Sequence, residues 1–217
     1  MKDINILSID MDYIMEPSIN KYNNYIKSDI KPSKLWRNVY KRIGKKRSKL
    51  RYNQDKLEEL VKLLNMKCEL TPIDNIVYVD DHDRIVDFMV DKGIIFKDGS
   101  GLKTEIEDIN IFNIDHHHDI YYSENQAVNV DTEDNYSVGS WMWLLDKYSL
   151  ISNYTWIRNH NSSPYYGMPT NCNYYEVDTL SYLLNVNFDY IFICKSPHWI
   201  PPEYHDLIDI IIYNYIY

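Results

Sequence analysis

Short apolar runs that end in acids recur along the chain. INILSID (residues 4–10), DNIVYVDDHD (74–83) and DINIFNIDHHHD (108–119) each join a β-branched stretch to a polar close. Runs of this length and composition predict buried strands, and FDYIFICKS (188–196) predicts a fourth. Elsewhere the apolar spacing changes to that of helices. PSKLWRNVYKRI (32–43) places Leu35, Trp36, Val39 and Ile43 together, with Ser33 as a candidate cap, and NQDKLEELVKLLN (53–65) does the same with Leu57, Leu60, Val61 and Leu64. RIVDFMVDKG predicts a helix closed by Gly93. SVGSWMWLLDKY (137–148), DTLSYLLN (178–185) and PPEYHDLIDIII (201–212) complete the predicted helices, and DGSG (98–101) predicts a loop.

Strands separated by helices point to one α/β domain over residues 1–217, with a parallel, doubly wound sheet. Such sheets bind ligands outside the carboxyl ends of their strands. Three of the four predicted ends carry acids or histidines: Asp10 and Asp12; Asp80, Asp81, His82 and Asp83; and the run from Asp115 to Asp119. One acid at a strand end means little, but three such ends in one sheet would converge.

Composition narrows the partners. A chain of 217 residues, 45% hydrophobic and 25% charged, can bury a sizeable core. The net charge of −9 argues against nucleic-acid binding by the surface as a whole. Three cysteines, Cys68, Cys172 and Cys194, form no CxxC pair and no even framework, as expected of a cytoplasmic protein. Neither the N-terminal apolar run nor the closing LIDIIIYNYIY is long enough to cross a membrane, and the latter is expected to be a buried strand or helix. The run KRIGKKRSKLR (41–51) is basic within an acidic chain. It fits a solvated connection between helices, or a docking patch for an acidic peptide centred on Lys45, Lys46 and Arg47.

Side chains two apart share a face of a strand. On that basis Asp10 and Asp12 form one pair and Asp115, His117 and Asp119 a triple, while His116 and His118 point away as supporting or packing residues. So many carboxylates assemble only around cations. A carboxylate-heavy set with few histidines favours Mn²⁺. The donors suffice for two ions about 3.5 Å apart, which would activate water as hydroxide near neutral pH.

DHHHD resembles the DxHxD motif of the arginase/deacetylase superfamily, SIDMDYIMEP its DxDxxxxP motif and VDDHD its Asp-His motif. The motif order, with DxD first, and the late CKSPHWIPPEY resemble the divergent branch that includes the peptide arginases. The likeness covers about a quarter of the chain. It implies a three-layer α/β/α sandwich and a cytoplasmic hydrolase that converts arginine in a precursor peptide to ornithine and urea, with two Mn²⁺ per chain. Carried over by residue, one ion would be held by His82, Asp115, Asp119 and Asp10, and the other by Asp115, His117, Asp10 and Asp12. Asp119 would also take a proton from the attacking water. Asp81 and Asp83 rival His82 by position. The Asn-x-His-Gly loop of arginases has no counterpart, and His160 in RNHNSS is the substitute histidine. The guanidinium needs a carboxylate partner, for which Glu176, Asp178 and Asp134 are candidates.

Two other classes fit part of the pattern. A DHH-type manganese phosphoesterase would use the letters DHH in IDHHHD, but Ser8 and Tyr13 stand where that family carries His and Gly. A non-catalytic protein that keeps a metal for stability would need the same ligands.

Overall fold

The computed structural model describes residues 3–16, 30–44, 50–120, 139–162 and 169–216. Six strands form the central sheet: β1 (Ile4–Asp10), β4 (Ile76–Val79), β7 (Ile109–Asp115), β8 (Asn153–Arg158), β9 (Asn173–Val177) and β10 (Tyr190–Cys194). Their order is β4-β10-β1-β7-β8-β9, and every pairing is parallel. Two short ribbons, β2 (Met15–Glu16) with β3 (Arg51–Tyr52) and β5 (Phe96–Asp98) with β6 (Gly101–Lys103), lie outside it.

Alternation along the strands divides the core in two. On one face Leu7, Ile9, Ile114, Ile191 and Ile193 pack against α1 (Pro32–Ile43), α2 (Gln54–Cys68) and α5 (His205–Ile216). On the other, Ile6, Ile109, Ile111, Tyr154, Trp156 and Phe192 pack against α3 (Arg84–Asp91) and α4 (Trp141–Lys147). The result is the three-layer α/β/α sandwich expected, with an all-parallel sheet. The chain leaves β1 toward β4 on one side and comes back to β7 on the other. The sheet's topological switch point, where open α/β sheets open a crevice, is therefore at β1.

Several elements differ from expectation. The strands β8 and β9 carry NYTWIR and NYYEV, whose polar residues hide any apolar run. What holds them is partly polar. At the amino-terminal edge of the sheet Asn173 donates to Asn153, Asn153 to Asn110 and Asn110 to Asn5, each through Nδ2 to Oδ1 at 2.6–3.1 Å. Asn5 Nδ2 closes the row on the Asn187 carbonyl at 3.0 Å. These four asparagines are register partners across β1, β7, β8 and β9. A one-residue slip would break the row, so it fixes register as well as adding stability. Asn110→Ala, which orphans an acceptor on one side and a donor on the other, is expected to lower unfolding free energy by about 1–3 kcal/mol in urea titration.

The segment 178–185 forms only a 3₁₀ turn, Leu180–Leu183, because Leu180 and Leu183 alone of it turn inward. Helix α1 starts with Pro32 at its first turn and no side-chain cap, so Ser33 does not serve as one. The C-terminal apolar run is a helix that buries Ile208 and Ile212 and exposes Ile210 and Tyr213. Among the described residues no helix is long and apolar enough to cross a membrane. Cys68, Cys172 and Cys194 are unbridged. Lys45, Lys46, Arg47 and Asp134 lie outside the described residues.

Candidate metal centre

The strand β1 ends at Asp10 and β7 at Asp115, immediately after the paired Ile9 and Ile114. Ser8, Asp10, Asn113 and Asp115 share, by alternation, the face that carries α3 and α4. The remaining donors come from turns, not from strand alternation as the sequence suggested. A 3₁₀ turn, Met11–Ile14, follows β1 and carries Asp12, whose N–H donates to Asp10 Oδ1 at 2.9 Å. Beyond β7 the chain bends at His117 and turns at Asp119, which holds a left-handed φ of 53°. β4 stops at Val79, so His82 stands in the turn that leads into α3. Strand geometry thus places two of the six donors and local turns place four.

All six meet. His82 Nδ1 lies 3.2 Å from Asp10 Oδ2, 3.2 Å from Asp115 Oδ2 and 3.0 Å from Asp119 Oδ2. His117 Nδ1 lies 2.9 Å from Asp12 Oδ2 and 3.7 Å from Asp115 Oδ1. Two groups place their ligand atoms within 4.8 Å of one another: Asp10, His82 and Asp115, and Asp12, Asp115 and His117. Asp115 belongs to both. The five residues of these groups can hold metal.

The donor set fits a cation on one further observation. His82 Nε2 is 2.7 Å from Ser8 Oγ. His82 Nδ1 is buried and makes no hydrogen bond, although three carboxylate oxygens surround it. With the ring proton on the Ser8 side, Nδ1 presents a lone pair to three negative oxygens. Only a proton or a metal cation relieves that arrangement, and an imidazole fixed by its far nitrogen is a usual metal ligand.

Electrostatics say the same. Burial raises Asp10 to about 6, aided by the charge of Asp12. Burial also pushes Asp115 well above the ordinary carboxylate range, followed by the charges of Asp119, Asp10 and Asp12. For Asp12 and Asp119 burial acts upward too, but His117 and His82 respectively outweigh it and both carboxyls are lowered. For His82 and His117 burial acts downward and is overcome by the carboxylates, which raise both imidazoles. Without metal the cluster holds protons that a divalent cation would displace.

Supporting groups fix the donors. Ser196 Oγ donates to Asp10 Oδ2 at 2.9 Å, Trp141 Nε1 to Asp119 Oδ2 at 2.6 Å and Asn113 Nδ2 to Asp115 Oδ2 at 3.3 Å. Tyr154 OH donates to the His118 carbonyl at 2.9 Å, and Ser162 Oγ to that of His116 at 2.8 Å. His116 and His118 are buried beside the donors, and the N–H of His116 donates to Asp12 Oδ1 at 3.3 Å. Ser8 and Asn113 were within reach of sequence reasoning, since each stands two residues before a ligand on the same strand face. Trp141 gave no such signal, and Ser196 only the position of KSPHW at a strand end; both are brought to the donors by tertiary packing. Ser196 itself sits at a left-handed φ of 57°, which a non-glycine residue holds only when its surroundings enforce it. Ser196→Ala keeps that backbone and loses the bond to Asp10; manganese affinity in chelator competition is expected to fall about 10- to 100-fold.

The other candidates are placed as follows. Asp81 Oδ1 faces His198 Nδ1 at 3.7 Å and Asp83 precedes α3, so His82 is the residue of that turn that reaches the cluster. His205 Nε2 lies 2.9 Å from the Ile200 carbonyl. His160 is exposed, its Nε2 3.6 Å from Glu16 Oε1. Glu176 Oε1 accepts the guanidinium of Arg158 at 2.9 Å, and Asp178 is exposed just beyond β9. Comparison of the chain with protein-family models, curated proteins and solved structures gives no match.

Proposed function

We propose that the protein is a hydrolase with two divalent cations, manganese by preference, that cleaves the guanidinium of arginine residues in a peptide to ornithine and urea. The observation that carries this reading is the meeting of Asp10, Asp12, His82, Asp115, His117 and Asp119 from three strand ends at the sheet's switch point. Four buried carboxylates balance the charge of two divalent ions, and six donors with Asp115 shared suit a pair. The carboxylate-rich set favours manganese over zinc. The choice of arginine in a peptide rests on the resemblance of the three motifs to those of peptide arginases.

Bound there, the cations supply Lewis acidity and make water acidic enough to attack a planar carbon near neutral pH. The protein supplies the rest. Burial of the six donors keeps bulk water out and strengthens every charge interaction inside. Asp119, anchored by Trp141, would be the base that takes the proton of the attacking water. His160, exposed with its Nε2 3.6 Å from Glu16 Oε1, is the candidate to carry protons to and from solvent. Of the carboxylates offered for the guanidinium, Glu176 already holds Arg158, which leaves Asp178 among the described residues.

The test is urea release from a blocked peptide containing one arginine, after loading with manganese and removal of excess metal. Urea with stoichiometric ornithine supports the reading. Turnover of a dinucleotide with no urea would replace it by the phosphoesterase alternative. Free arginine is expected to be the poorer substrate, because an enzyme open to peptides has no pocket for free α-amino and α-carboxyl groups.

A further inference from the structure

The turn that follows β10, residues 195–200, reaches both ends of the metal centre. Its Ser196 hydroxyl bonds Asp10, as described, and its Trp199 ring lies over His117 with centroids 4.6 Å apart and planes tilted by 50°. The ring is held there by the backbone. The N–H groups of Trp199 and Ile200 both donate to the Ser196 carbonyl, at 2.9 and 3.0 Å. Pro197 accepts from Trp36 Nε1 at 2.9 Å, which ties the turn to α1.

Among the six donors exposure is greatest at His117. The side chains of Asp10, Asp12, His82, Asp115 and Asp119 are at most 5% exposed, whereas that of His117 is 13% exposed. Trp199 is half-buried at the same place and leaves part of its surface outward. A group that came in over the exposed part of His117 would pass the Trp199 ring, whose centroid lies 4.6 Å from that of His117, inside the roughly 6 Å over which an aromatic face attracts a cation. Trp is the strongest such face, and a guanidinium is planar, weakly hydrated and suited to stack on it.

We propose that Trp199 is the aromatic wall against which the guanidinium of the substrate stacks as it enters the metal centre beside His117. The assignment rests on the hydrolase reading above and adds to it the residue that selects a planar cation. Trp199 touches substrate and takes no part in proton transfer.

The experiment compares wild type, Trp199→Phe and Trp199→Leu, all loaded with manganese, on the blocked arginine peptide. Metal content is measured for each, and inhibition by methylguanidinium is compared with inhibition by methylammonium. The expected result is two manganese ions in all three proteins. KM should rise about tenfold in the Leu variant and less in the Phe variant, with kcat within about threefold, and preference for methylguanidinium should be lost in the Leu variant. An unchanged KM in the Leu variant overturns the proposal while leaving the hydrolase reading intact. Loss of manganese in both variants would make Trp199 a support for His117 and overturn it as well. If wild type, fully loaded, releases no urea and does not bind methylguanidinium, the hydrolase reading fails and this inference fails with it.

Discussion

Asp115→Asn is expected to remove both metal ions and all measurable turnover, a loss on the order of 10³-fold or more, while making the metal-free protein more stable than wild type. Asp115 is the one carboxylate common to both donor groups. Its Oδ2 faces His82 Nδ1 and its Oδ1 faces His117 Nδ1, and among the described residues no other belongs to both groups. An amide of the same shape is a poor ligand and cannot bridge. In the absence of metal, however, Asp115 is fully buried beside Asp119, Asp10 and Asp12, and its charge is disfavoured by burial first and by those three carboxylates next. Neutralising it relieves both penalties. The opposite directions of the two effects separate loss of the site from loss of the fold. Metal analysis, urea assay and thermal melts of the metal-free variant check all three parts. A variant that lost activity but kept both ions would remove Asp115 from its bridging place.

The second large effect is a manganese-dependent stabilisation that grows with pH. Asp10, raised to about 6, and Asp115, raised further, bind protons in the folded state that the unfolded chain has already released above its ordinary value of 3.8. His82 and His117 are raised above their ordinary 6.5. A raised group contributes stability that is present at low pH and lost as pH passes its folded value. All four therefore make the metal-free protein less stable as pH climbs from 5 to 8. Asp12 and Asp119, being lowered, act the other way, but their loss falls below pH 4 and outside that window. Metal needs the deprotonated donors, so its binding strengthens over the same interval. At a free manganese concentration 100 times Kd the gain is about 2.7 kcal/mol, or roughly 5–11 °C in Tm for a domain of this size. Melts with and without manganese should diverge from pH 5 to pH 8. Curves that stayed parallel would mean that protons and metal do not share these ligands.

The fold was legible where apolar residues dominate a run. β1 and β7 announce themselves by Ile-rich stretches interrupted only by single Asn or Ser residues, β10 by a continuous apolar run, and α1, α2 and α3 by helical spacing. β8 and β9 did not, because all but one residue of each is polar or aromatic and part of their order comes from the asparagine row, which exists only after the strands are side by side. The six donors were legible as residue types at strand ends. Their geometry was not. Alternation accounts for Asp10 and Asp115, whereas Asp12, His82, His117 and Asp119 are delivered by turns, one of them through a left-handed backbone that sequence periodicity does not encode. The groups that tune the donors were the least legible. Ser196 and Trp199 come from a turn about 80 residues beyond the last of the six in the chain; the segment KSPHW stood out at a strand end, but its contacts with Asp10 and His117 are made only by tertiary packing.

The central claim is that three separate strand ends hold a pair of cations in common. Anomalous diffraction at the manganese edge, from a crystal grown with manganese, tests it most directly. Two peaks about 3.5 Å apart, one beside Asp10 and His82 and one beside Asp12 and His117 with Asp115 between them, is the predicted result. A single peak, peaks elsewhere on the molecule, or none between those residues would contradict it.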